Sequence, residues 1–231
     1  DLLAAAGLQE VVNYSMVSDQ AIEVTKGTAS ERDKDLELLR AANPMSPDHE
    51  YLRTTLKPGL LKTLANNQRH SNVPQWYFEV GREYLFYGEG LPIEPEVAAG
   101  IMAGPGALST WAGEETATGF YDAKGVLETL LERFSVIATY ESTDDSFYYP
   151  GRSAVVTANG LQIAQLGEVH PTVLEHFDVR AEHAVYFEID LAALLSALPG
   201  VGLRFRGPSI YPGALRDLAI TVPVDVPAAK V

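Results

Sequence analysis

Several groups of residues have the types that do chemistry, and their spacing decides whether they can. His170, His176 and His183 fall within HPTVLEHFDVRAEH. Three imidazoles could ligate a metal, but the spacing puts His170 and His176 on opposed sides of any helix. No cysteine and no His-Glu-x-x-His pattern stands nearby, so the trio reads as one histidine near a helix start and two on the surface. Asp144 and Asp145 in ESTDDSF could hold a cation or shift each other's protonation. Nothing pairs them with a second acidic cluster, and they read as a solvated turn. PGVGLRFRG mimics a glycine-rich phosphate loop followed by Arg204 and Arg206. Such a loop needs a helix whose N-terminal amides face the anion. Pro208 and Pro212 oppose a helix there, so a connector is the better reading. With no Gly-x-Ser-x-Gly elbow and no Ser/His/Asp set, the chain offers no self-contained active site.

Two arginines are less easily set aside. Arg53 lies in NPMSPDHEYLRTTLKPGLLKTLANNQ, directly before a helix that opens at Pro58. It could cradle a phosphate or serve as scaffold. Arg152 in FYYPGRSA follows the sharp turn Pro150-Gly151 and precedes a strand. It could be fixed for a partner or an anion, or be a plain surface arginine. Chemistry alone leaves both open.

The elements that must position these residues can be read from periodicity. DLLAAAG is the end of a helix closed by Gly7. VVNYSMV, 11 to 17, reads as a strand, and Ser18 with Asp19 opens a polar helical excursion. Residues 25 to 35 read as a solvated loop. Ser46-Pro47 is an N-cap with proline at the first helical position. The Pro58 helix carries Leu56, Leu60, Leu61 and Leu64 as one stripe. QWYFEVGREYLFY, 75 to 87, alternates as a strand with Trp76, Phe78, Val80, Tyr84 and Phe86 on one face. VAAGIMAG, 97 to 104, is a buried strand. DAKGVLETLLERF is a helix capped by Asp122. Residues 153 to 169 form a hairpin turning at Asn159-Gly160. Pro171 begins a short helix, AVYFEID is a strand, Asp190 caps LAALLSAL, and LRDLAITV reads as a last strand. Strands with separate helices and no βαβ alternation predict an α+β fold, an antiparallel sheet flanked by helices.

The bulk numbers bound the function. The 231 residues suffice for a core without staples. The absence of cysteine excludes disulfides and thiolate zinc sites and suits a reducing cytoplasm. Seventeen basic against 31 acidic residues give a net charge of −14, so any contact with RNA must be local or made by another part of an assembly. No apolar run reaches the roughly 20 residues of a membrane span, and Asp1 opens no signal peptide. The chain starts inside a helical pattern and stops at VPVDVPAAKV, so it reads as a piece of something longer.

Taken in order, GLQEVVNYSMVS, NPMSPDHEYLRTTLKPGLLKTLANN, YFEVGREY, YYPGRSA, LGEVHP and VYFEIDL resemble the core of the bacterial phenylalanyl-tRNA synthetase β-subunit family. The motif residues carrying the resemblance include Pro58, Glu79, Gly81, Pro150, Gly151, Arg152, Gly167, Glu168, His170 and Pro171. PSIYPGALRDLAITV resembles the linker and opening strand of that family's ferredoxin-like anticodon-binding domain, giving bounds of 1–203 and 204–231. The resemblance implies a class II synthetase-like fold that performs no catalysis itself. It implies that an α subunit binds ATP, magnesium and phenylalanine, with no cofactor in this chain. It further implies an (αβ)2 heterotetramer in the cytoplasm, with the phenylalanine tRNA reached through the holoenzyme and no membrane. The family's editing site and magnesium-linked carboxylates do not map onto these residues.

The class II motifs test that implication. Motif 1 runs Gly-aromatic-x-x-aliphatic-x-x-Pro. Gly7, Leu8 and Val11 fit the frame, with Leu8 for the aromatic and Tyr14 for the proline. Motif 2 resembles GRxYR, whose second arginine grips the ATP α-phosphate, and GREYL puts Leu85 there. Motif 3, a glycine-rich strand ending in arginine before a helix, has only the PGVGLRFR mimic. Leu2, Leu3, Gly7, Val11, Tyr14 and Arg53 are then expected at the subunit interface, with Arg53 as scaffold and contact rather than phosphate cradle. The rival readings are a class II ligase domain with its own adenylate site, and an unrelated α+β small-molecule binding module.

Overall fold

The computed structural model describes residues 1–27, 35–70, 73–105, 117–200, 207, 211–223 and 226. The chain divides into two units, Asp1–Gly200 and Val201–Val231. In the first, a seven-stranded sheet runs in the order β1 (Gln9–Glu10), β4 (Gln75–Arg82), β5 (Glu96–Ala103), β9 (Ala184–Asp190), β8 (Leu161–Val169), β7 (Tyr148–Ala158), β6 (Thr139–Ser142). Only β1–β4 is parallel, and the other pairs are antiparallel. A second, two-stranded sheet pairs β2 (Met16–Val17) with β3 (Tyr51–Leu52).

Each face of the large sheet has its own core. One is covered by α1 (Leu2–Ala5), α4 (Phe120–Arg133) and α6 (Leu191–Ala197), through Leu3, Val126, Leu127, Leu130, Leu131, Leu194 and Ala197. The other is covered by α2 (Asp19–Thr25), α3 (Lys57–Gln68) and α5 (Pro171–His176), through Ala21, Leu56, Leu60, Leu61, Leu64, Val173 and Leu174. Alternate residues of β5 and β9 serve both faces, Val97, Ala99, Ile101 and Tyr186 on one, Ala98, Met102, Val185 and Phe187 on the other. A strand buried on both sides reads as a nearly continuous apolar run, which is why VAAGIMAG and AVYFEID are so uniform. The structure is thus the α+β fold expected, an antiparallel sheet flanked by helices.

Local signals place most elements. Asn159 (φ 52°) and Gly160 (φ 78°) make the two-residue turn between β7 and β8. Gly7 (φ 96°) ends the first helical segment. Ser18 accepts the Ala21 amide at 3.2 Å to start α2, and Asp190 accepts the Ala193 amide at 2.9 Å to start α6.

Other expectations need correction. Strand structure within 11–17 is confined to Met16–Val17, because Val11 donates to the Phe78 carbonyl and the chain then turns to place Asn13 against Glu79. β4 stops at Arg82; Val80 is exposed, while Gln75, Tyr77 and Glu79 on the opposite face are buried. The Ser46-Pro47 segment is a 3-10 turn, Pro47–His49, in which Ser46 Oγ meets His49 Nδ1 at 3.0 Å instead of capping the backbone. α4 starts at Phe120, and Asp122 reaches back from its first turn to the Gly119 amide at 2.8 Å. Residues 215–222 form no strand among the described residues, where that segment has no ladder partner. Most of the 25–35 loop (28–34) and the arginines of PGVGLRFR lie outside the described residues.

Candidate functional site

Arg53 answers for itself first. Its side chain is inside the protein, with Nη1 donating to Glu79 Oε1 at 2.6 Å and Nε to the Arg82 carbonyl at 2.9 Å. Glu79 Oε2 also accepts Asn13 Nδ2 at 2.7 Å, and Asn13 Oδ1 accepts the Thr63 hydroxyl of α3 at 2.8 Å. The backbone joins in, as Arg53 N donates to Ser15 O at 2.8 Å and Tyr84 N to Arg53 O at 2.9 Å. One buried ion pair therefore ties the 11–17 segment, β4, α3 and the turn after β4. Gly81 is required by the same network, because a Cβ there would collide with the Arg53 guanidinium. Arg53 is scaffold, and its guanidinium offers no surface for a partner, contrary to the expected contact.

The remaining residues expected at an interface separate by exposure. Leu3 is in the core, whereas Leu2, Gly7 and Tyr14 are exposed and Val11 is half-buried. Tyr14 packs edge-on against His49 at 5.5 Å, and Val12 and Met45 are almost fully exposed. Pro58 is buried at the start of α3.

The motifs in YYPGRSA and LGEVHP meet across β7 and β8. Pro150-Gly151 is a bulge inside β7, where the register slips between Tyr148 and Ser153, and not a turn before it. Gly151 takes φ 76° there. Arg152 Nη1 bonds Glu168 Oε2 at 2.6 Å while its guanidinium lies 4.8 Å over the Tyr149 ring, and Tyr149 stacks on His170. His170 Nδ1 accepts the Thr172 amide at 3.3 Å, capping α5 as Pro171 opens it. Gly167 leaves room for the Tyr148 ring, which a Cβ would meet at 2.6 Å. His183 Nδ1 stands 3.7 Å from the same Glu168 oxygen, and His176 is exposed. The described residues contain no group of three or more His, Cys, Asp or Glu that could hold a metal.

Sequence reasoning missed the other polar concentration. A cavity of about 450 Å³ lies over β5, β9 and β8 on the α3 face. Its lining includes Thr55, Lys57, Glu83, Asp145, Glu188 and Asp190. Asp145 is not a solvated turn residue; it is buried, and its Oδ1 accepts the Phe147 amide at 3.0 Å. Glu188 Oε2 accepts the Tyr186 hydroxyl at 2.6 Å and that of Thr55 at 3.3 Å. Burial first, and the Glu188 charge second, hold the Tyr186 and Tyr148 hydroxyls well above the usual phenol range. A carboxylate inside AVYFEID and a lysine just before Pro58 were the available signals, since charged residues in apolar surroundings are rarely idle.

The cleft has the wrong charge for adenylate chemistry. Leu85 is buried and bridges to Ile93, giving no donor where motif 2 has its arginine. β9 runs straight into α6, and it ends in Asp190 instead of arginine. Glu23, Glu83, Asp145, Glu188 and Asp190 outnumber Lys26 and Lys57 among the described lining residues.

This architecture is that of a class II aminoacyl-tRNA synthetase. The Desulfitobacterium hafniense pyrrolysyl tRNA synthetase superposes with a TM-score of 0.59 at 16% identity, covering 84% of this chain and 63% of that one. The particular family is set by sequence: the profile described as "Phenylalanyl tRNA synthetase beta chain CLM domain" matches residues 1–191, and the chain belongs to that family. The phenylalanine–tRNA ligase β subunit of Geobacter sulfurreducens is 36% identical over 234 residues, covering 100% of this chain and 29% of that protein. Its counterpart in Staphylococcus aureus strain RF122 is 31% identical over 230 residues, covering 99% and 28%. The chain thus spans less than a third of the length of these curated relatives.

Proposed function

We propose that this chain is the catalytically silent synthetase-fold core of a phenylalanine–tRNA ligase β subunit. It supports a catalytic α subunit in an (αβ)2 heterotetramer of the cytoplasm. ATP and magnesium are bound by the partner, and the phenylalanine tRNA is engaged through the assembled holoenzyme. The observation that carries this reading is the acidic lining of the cleft, with Glu83, Asp145, Glu188 and Asp190, beside a buried Leu85 where GRxYR has its second arginine. Losing one such donor costs on the order of 3 kcal/mol in the transition state, and carboxylates in the cleft repel phosphates as well. α1 and the segment through Tyr14, with Leu2, Gly7, Val11, Val12 and Met45 at or near the surface, supply the contact face. Residues 204–231 are read as the linker and opening strand of a ferredoxin-like domain, whose other strands would give 215–222 its partner.

The test has two arms. The full-length subunit alone is expected to show no phenylalanine-dependent ATP–pyrophosphate exchange. Titration with a bacterial phenylalanyl-tRNA synthetase α subunit, followed by light scattering, is expected to give a defined complex that Tyr14→Asp weakens. Exchange by the isolated subunit overturns the silent assignment, and undiminished affinity in Tyr14→Asp overturns the contact face.

A further inference from the structure

Among the described residues, Lys57 has no conventional partner. Its side chain is 6% exposed, and its ammonium lies 4.3 Å from the centroid of the Phe147 ring and 6.0 Å from that of Tyr148. Among the described residues it makes no hydrogen bond through Nζ and no ion pair. It nevertheless lines the cavity over β8 and β9. Glu188, 9% exposed, lines the same cavity, and both its hydrogen bonds fall on Oε2. Among the described residues Oε1 accepts none, and it is not one of the sealed, unpartnered side-chain atoms.

Burying a charge without a partner costs several kcal/mol. Here one charge of each sign borders one cavity, yet the two do not pair with each other. The space between is lined by Val97, Val155 and Ile163 as well as by polar groups. Its volume of about 450 Å³ is that of a small-molecule site. Glu83 and Asp145 in the same wall disfavour a phosphate or any other dianion.

We infer that this cavity binds a small zwitterion, a free amino acid with an apolar body, its carboxylate on Lys57 and its ammonium on Glu188 Oε1. A molecule bearing both charges satisfies both buried groups and leaves the net charge of the site unchanged. A simple amine meets Lys57 as a like charge, and a simple acid meets Glu188 in the same way. The inference uses the same cleft as the silent-core reading above, but rests on Lys57 and Glu188 Oε1 instead of on missing phosphate donors.

The experiment is calorimetric titration of the full-length subunit in complex with its α partner, so that any amino-acid site elsewhere is a constant background. Leucine and ε-aminocaproate serve as zwitterions with near and distant charges, hexanoate and hexylamine as single-charge controls. Saturable millimolar or tighter binding of either zwitterion is expected, weakened about tenfold or more by Lys57→Met and by Glu188→Gln. Both variants are close in shape. Met keeps the stem packed on Phe147 and Gln keeps an acceptor for Tyr186, and unchanged circular dichroism and melting certify the fold. No zwitterion binding beyond the background site overturns the inference, as do equal affinity for a single-charge control and binding indifferent to both substitutions. A subunit that binds zwitterions and still shows no exchange activity separates this site from the silent-core assignment.

Discussion

The buried Arg53–Glu79 pair makes a prediction that separates scaffold from surface. The two side chains are 7% and 2% exposed and meet at 2.6 Å. Arg53→Met keeps the length of the stem but leaves the Glu79 carboxylate with Asn13 as its remaining ligand and removes the donor to the Arg82 carbonyl. Removing one member of such a buried pair costs about 3–5 kcal/mol, most of it the stranded charge. For a unit of this size that is a fall in Tm of about 6–20 °C. Arg82 supplies the internal control, since its pair with Glu94 is 62% and 40% exposed and Arg82→Met is worth about 0–1 kcal/mol. The assay is hydrogen exchange of the β4 and β5 amides in the full-length subunit, which reads the opening free energy of this unit alone, alongside the melting curve. Adding Glu79→Gln to Arg53→Met removes the stranded charge and is expected to return about 2 kcal/mol or more of the loss. An Arg53→Met cost no larger than that of Arg82→Met, or no rescue in the double variant, would refute the scaffold assignment.

Two further outcomes follow from the same physics. Gly81→Ala pushes a methyl into the Arg53 guanidinium and is expected to cost about 1–3 kcal/mol, with much of that cost absent in an Arg53→Met background when measured by the same exchange assay. At alkaline pH the tyrosines decide. Burial pushes Tyr140 up to about 12 and also holds Tyr148 and Tyr186 well above the usual phenol range. The folded state therefore holds these protons more tightly than the unfolded chain, where phenols titrate at about 10. That contribution is complete below pH ~10 and is lost as pH rises toward ~12. Since the Tyr148 hydroxyl is sealed without a partner among the described residues, Tyr148→Phe should cost little at neutral pH and move the alkaline unfolding midpoint upward, as a circular dichroism titration will show.

What could be read from the sequence was what is decided locally. Pro58 opening a leucine stripe, Asn159-Gly160 as a turn, and Asp190 before an alanine-leucine helix depend on residues a few positions apart, and all three stand as expected. The failures depend on distant partners. VVNYSMV alternates well enough for a strand, but Asn13 is drawn to a carboxylate 66 positions away. Arg53 reads from the sequence as scaffold and subunit contact, because nothing near it reveals that Glu79 takes its guanidinium into the interior. Asp145 looked solvated because the Phe147 amide and the cavity wall that bury it come from the folded turn and the sheet. The cleft was illegible for the same reason, since Lys57, Glu83, Asp145 and Glu188 come from four separated segments.

The position of β9 between β5 and β8 also governs the order in which this unit assembles. β7 with β8 is a tight hairpin, and β4 pairs with β5 across one loop, so these two pairings close only short stretches of chain. β9 bonds to both halves, with Val97 opposite Asp190 and Ala164 opposite Ile189. Its pairing with β5 closes the longest loop in the sheet, and that entropy must be met before any contact across the seam is gained. Until β9 is seated, neither apolar layer is continuous and Glu188 has no cavity to face. The strand that seals the hydrophobic core is thus the one that delivers the carboxylate, so an open site and an open fold are the same kinetic state.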